Sequence, residues 1–100
     1  MNKNSLLSDN YFDKIEPYLY EIMDSETAHT VRSLSMELRT EYPEEFLAFN
    51  TKFSADYALK GCGQRHAHVN GLTIVLENLL QKNKVEKSMR DGEVVWRRID

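Results

Sequence analysis

The stretch that decides the fold runs from Val69 to Ile99. It opens with Val69-Asn70-Gly71-Leu72-Thr73-Ile74-Val75-Leu76-Glu77-Asn78-Leu79-Leu80 and passes through Gln81-Lys82-Asn83-Lys84. It ends with Val85-Glu86-Lys87-Ser88-Met89-Arg90-Asp91-Gly92-Glu93-Val94-Val95-Trp96-Arg97-Arg98-Ile99. Val69, Leu72, Val75, Leu76, Leu79 and Leu80 recur at three-four spacing, the signature of one apolar helix face. Lys82, Asn83 and Lys84 close that helix with cations at the negative end of its dipole. Val85–Met89 and Glu93–Ile99 read as two strands around Arg90-Asp91-Gly92. Asp-Gly is a leading two-residue hairpin signal, because a type I′ turn needs positive φ at both central positions. Gly71 inside the helix costs about 1 kcal/mol relative to alanine, so a close contact is expected there.

Upstream, three more helical stripes precede this unit. Tyr11, Phe12, Ile15, Tyr18, Leu19 and Ile22 share one face, with Asp9 or Asn10 as candidate caps. Pro17 conflicts with this helix, which either kinks there or starts late with Glu16-Pro17 in its first turn. Val31, Leu34, Ser35, Leu38 and Tyr42 form a second stripe, opened by Thr30 or Ser25 and ended near Tyr42 by Pro43. Pro43-Glu44-Glu45 suits the first turn of a third helix, whose face holds Phe46, Phe49 or Asn50, Phe53 and Tyr57, and which Gly61 and Gly63 stop. Residues 1–10 are polar and expected to be frayed, leaving 11–100 as a single domain.

Composition fits one globular domain: 100 residues, 41% hydrophobic and 29% charged. The longest nearly apolar run, Leu72 to Leu80, is far short of the ~20 residues that span a bilayer, and the first residues carry no signal-like apolar stretch. With Cys62 as the only cysteine, a cytoplasmic, non-membrane protein is expected. The net charge of −3 hides an asymmetry. Residues 1–50 hold four Lys/Arg against ten acids, and residues 51–100 hold nine against six. A polyanion would therefore meet the back half.

A leucine-rich helix, a short polar linker, an apolar residue and then a turn with an aromatic on the return strand resemble the recognition helix and wing of the winged-helix superfamily. Here these are Leu76-x-x-Leu79-Leu80, Val85 and the hairpin ending in Trp96-Arg97-Arg98-Ile99. The resemblance covers the last third of the chain and points to no family within the superfamily. It implies an α+β, mainly α fold: three to four helices, then a C-terminal two-stranded hairpin. It also implies a small DNA-binding transcriptional regulator, by analogy of fold alone. The start of the fourth helix would face double-stranded DNA with Gln64, Arg65, His66, His68, Asn70 and Thr73, and Lys87 and Arg90 on the wing would touch the backbone. Arg97 and Arg98 point to opposite faces of their strand. The bland alternative is a solvated helix start and a charged edge strand.

The rival function is a protein-interaction module on the same scaffold, its acidic face docking a basic partner or mimicking phosphate to inhibit a nucleic-acid enzyme. Asp24, Glu41 and Glu44 would then matter. A homodimer through the aromatic first helix is a further expectation, since Tyr11, Phe12, Tyr18 and Tyr20 exceed what one small core face absorbs. Cys62, His66 and His68 lack the paired spacing of zinc fingers, so no metal or cofactor is expected. No P-loop, Rossmann glycine pattern, G-x-S-x-G or HExxH is present, which argues against an enzyme.

Overall fold

Capping chemistry sets where each element begins and ends. The computed structural model describes residues 11–58 and 67–99, with residues 56–58 and 67–70 described by backbone alone. Helices α1 (Tyr11–Ile22), α2 (Val31–Glu41), α3 (Pro43–Ala58) and α4 (Ala67–Gln81) precede strands β1 (Val85–Arg90) and β2 (Glu93–Arg98). The architecture is thus α+β, mainly α, with four helices and a C-terminal antiparallel hairpin.

Helix α1 already includes Tyr11 and runs on through Pro17, which rules out the late start. Pro17 supplies no N–H to the Asp13 carbonyl, but both residues are exposed, so water can satisfy that oxygen. Thr30 caps α2 from an extended conformation, its side chain accepting the Ser33 N–H at 3.1 Å. Tyr42 ends α2 by donating its N–H to Leu38 O at 2.8 Å. Its own carbonyl accepts from Phe46 N at 2.9 Å, so one residue joins α2 to α3. Pro43 then occupies the first helical position of α3, where its missing N–H costs nothing.

The end of α4 is a Schellman motif. Asn83 adopts φ 62°, its N–H reaching Leu80 O at 3.0 Å, while Lys84 N reaches Leu79 O at 3.0 Å. At the hairpin tip Asp91 and Gly92 have φ 53° and 84°, the two positive values that a type I′ turn demands.

Each helix packs on the other three, β1 rests on α4, and β2 lies against α2. The core gathers Ile15 and Leu19 from α1, Leu34 and Leu38 from α2, Phe46 and Phe49 from α3, and Leu72, Val75, Leu76 and Leu79 from α4. Val85 and Trp96 bring the ribbon into the same cluster. Gly71 is explained: a Cβ there would lie 2.8 Å from Phe49 Cζ and 3.2 Å from Phe53 Cγ, so α3 and α4 approach too closely for a methyl group. A third short chain segment joins the ribbon, since His29 and Trp96 exchange N–H···O bonds of 2.8 Å in both directions.

Candidate interaction surfaces

The residues assigned to DNA fall into two groups. Gln64, Arg65 and His66 lie outside the described residues, and His68 and Asn70 are on the first turn of α4 with only their backbone described. Thr73, one turn further on, is half-buried and engaged within the protein.

The ribbon cations are described, and each has an in-chain partner. Lys87 donates to Glu77 Oε2 of α4 at 2.8 Å and sits 5.3 Å above the Trp96 ring. Arg90 donates through Nη2 to Ala28 O at 3.2 Å. Arg97 holds Glu86 at 2.8 Å and the Ser25 carbonyl. Arg98 lies 4.6 Å over the Tyr20 ring and donates to Tyr20 O at 3.3 Å. As their alternation on β2 requires, Arg97 and Arg98 serve opposite faces. Lys82 pairs with Glu16 of α1 at 2.7 Å, and that bond raises the Lys82 pKa above its ordinary value. The described cations of the ribbon and the end of α4 therefore tie these elements to α1, to the segment before α2 and to one another. The exposed ion pairs among them, Lys87–Glu77 and Arg97–Glu86, contribute ~0–1 kcal/mol each.

The aromatic residues of α1 are likewise engaged inside the chain. Tyr11 and Phe12 meet Phe49 edge-on at 5.6 and 5.8 Å, and Tyr18 lies 4.8 Å from the Tyr42 ring. Tyr20, off the main stripe, is covered by Lys84 and Arg98, and its hydroxyl donates to Ile99 O at 3.2 Å.

The acidic residues behave differently. Asp24 is structural: its Oδ1 accepts the Glu26 N–H and its carbonyl accepts Arg98 N. Glu21 accepts the Tyr42 hydroxyl proton, which pushes the Tyr42 pKa up to about 12. In contrast, Glu37, Glu41 and Glu44 are exposed and have no side-chain partner among the described residues. They flank the α2–α3 corner, where Met36 and Leu47 are 60% and 64% exposed. Ser35, Met36, Arg39, Pro43, Phe46, Leu47 and Asn50 line a hollow of about 400 Å³ there. Met36 also borders a second hollow that includes Glu37 and Thr40. No sequence pattern announced this surface, because Met36 and Leu47 fall off the stripes that mark the core.

A third hollow, between α1 and α3, has an apolar floor of Ile15 and Phe49, with Lys14, Lys52 and Glu45 at its rim. Cys62 and His66 lie outside the described residues, as does the side chain of His68. Among the described residues no group of three His, Cys, Asp or Glu could hold a metal ion, and no helix is long and apolar enough to cross a membrane. Comparisons with protein-family models, with curated proteins and with solved structures find no match.

Proposed function

We propose that this protein is an interaction module whose acidic α2–α3 corner docks a basic, amphipathic segment of a partner protein. One observation carries the reading: exposed Met36 and Leu47 line one hollow at the α2–α3 corner, Glu37 borders Met36 in the adjoining hollow, and Glu41 and Glu44 stand exposed at the end of α2 and the start of α3, without an ion-pair partner among the described residues. Burying the two side chains in a complex would contribute about 2–4 kcal/mol. The carboxylates would speed encounter with a cationic partner and select its orientation. Arg39, in the same lining, sets a local preference for an acidic or carbonyl group on the partner.

Duplex DNA binding is the second reading. It is favoured by the order helix α4, tight turn, ribbon, with Lys87 and Arg90 on β1. The in-chain partners of those two cations and the net charge of −3 weigh against it.

One set of titrations separates the two. The chain is mixed with a fluorescent Lys/Arg-rich amphipathic peptide, or with random duplex, at low and moderate salt. The module reading expects peptide binding that Leu47→Asp or the double change Glu41→Lys with Glu44→Lys abolishes, with little change in melting temperature. Duplex binding that falls steeply with salt, and that Arg65→Ala with Arg90→Ala removes while the acidic changes leave it intact, overturns it.

A further inference from the structure

The open edge of β1 carries a second, independent surface. Trp96 exchanges both backbone hydrogen bonds with His29, and Arg98 N donates to Asp24 O. The even-numbered residues of β2 therefore turn their backbone groups away from β1, and Glu93, Val95 and Arg97 turn theirs toward it. The register pairs Arg90 with Glu93, Ser88 with Val95 and Glu86 with Arg97. It follows that Val85, Lys87 and Met89 direct their N–H and C=O groups outward. Every residue of β1 after Val85 is exposed, so nothing among the described residues covers this edge. It has no proline and no bulge; its guard is the charge of Glu86, Lys87 and Arg90, which admits only a partner strand whose register pairs those charges.

We infer that β1 pairs antiparallel with β1 of a second copy, about a two-fold axis at Ser88. That axis sets Lys87 opposite Met89 of the second copy as the hydrogen-bonded pairs, which matches the outward direction of both backbones. Glu86 falls opposite Arg90 of the second copy in the non-hydrogen-bonded positions, where side chains come closest. Within one chain Glu86 already pairs with Arg97 at 2.8 Å, and Arg90 stands across from Glu93. Joined in this register, the two ribbons form a row of alternating sign: Arg97, Glu86, then Arg90 and Glu93 of the second copy, repeated by symmetry. The other face of the sheet gains Trp96, Lys87, then Met89 and Val94 of the second copy. This covers Met89, which stands 64% exposed in the single chain. A register with the axis at Lys87 would set like charges face to face, and it is disfavoured for that reason. Arg90 makes one exposed 3.2 Å bond to Ala28 O, which a turn of its side chain exchanges for Glu86 of the second copy.

The test is association of the full chain in three forms. Wild type is expected to pass from monomer to dimer with rising concentration in sedimentation equilibrium. Glu86→Arg alone sets two guanidinium groups against each other across the axis, and Arg90→Glu alone sets two carboxylates against each other. Each variant is therefore expected to stay monomeric. Mixed in equal amounts, the two variants restore both opposite-charge pairs and form a heterodimer. Circular dichroism verifies that each variant is folded. Amide exchange of the wild type gives a readout free of mutation: the Lys87 and Met89 N–H groups gain protection with concentration, while Ser88 and Arg90 do not change. The inference is overturned if wild type remains monomeric at about 1 mM, near the weak end of specific association. It is equally overturned if either single variant still dimerises, if the mixture does not, or if protection at Lys87 and Met89 ignores concentration.

Discussion

At the scale of single residues, two side chains fix contacts that composition alone would not suggest. Gly71 stands where α3 and α4 cross. An alanine there regains ~1 kcal/mol of helix propensity but pushes on the buried ring of Phe49, and overpacking of this kind costs ~1–3 kcal/mol. Gly71→Ala is therefore expected to lower stability by up to about 2 kcal/mol in denaturant unfolding; an unchanged midpoint would show that α3 yields freely. Tyr42 is the second. Its hydroxyl donates to Glu21, and ionisation would set a phenolate against that carboxylate, which holds its pKa near 12 against an ordinary 10.0. The folded value lies above the unfolded one. The stabilisation is thus fully present below pH 10 and is lost as pH rises toward 12. Ultraviolet titration of Glu21→Gln is expected to bring the Tyr42 transition back toward the ordinary tyrosine range. Lys82, raised by Glu16, loses its contribution in the same alkaline direction.

At the scale of elements, ends matter more than middles. Thr30 satisfies an orphan N–H of α2 and lies next to His29, whose backbone pairs with Trp96. Thr30→Ala should cost about 1 kcal/mol, measured as a shift of the denaturation midpoint with an unchanged slope. The left-handed Asn83 closes α4 and turns the chain into β1. Asn83→Gly should preserve the melting temperature, whereas Asn83→Val should depress it, since a β-branched residue resists positive φ. Sequence marked the ends at Tyr42 and Asp91-Gly92, and narrowed the start of α2 to Thr30 or Ser25, because each signal is local. It left Pro17 ambiguous, since whether a helix tolerates proline depends on whether the freed carbonyl can reach water.

At the scale of the whole molecule, ribbon and helices share one core through Trp96. It is the only tryptophan in the chain, 1% exposed, and bonded by its backbone to the segment before α2. Tryptophan fluorescence, which reports the ribbon, and far-ultraviolet dichroism, which reports the helices, should therefore trace coincident unfolding curves. Two separate transitions would show that the ribbon melts on its own. Trp96→Ala removes ~3–5 kcal/mol, enough to leave a domain of this size marginally folded.

The order of helices and strands is legible along the chain, apart from where α1 starts. Helical stripes, caps, Pro43 and Asp91-Gly92 act over a few residues, so their reading needs no knowledge of distant partners. The sequence also raised the expectation of a close contact at Gly71, which the Phe49 and Phe53 rings meet. What Lys87, Arg90, Arg97 and Arg98 touch emerges on folding, because their partners Glu77, Ala28, Ser25 and Tyr20 lie at separations that no local pattern encodes. The same holds for the acidic residues. Asp24 is fastened into a turn while Glu41 and Glu44 stand open, and equal charges acquire different roles through burial and neighbours that exist only once the chain has folded.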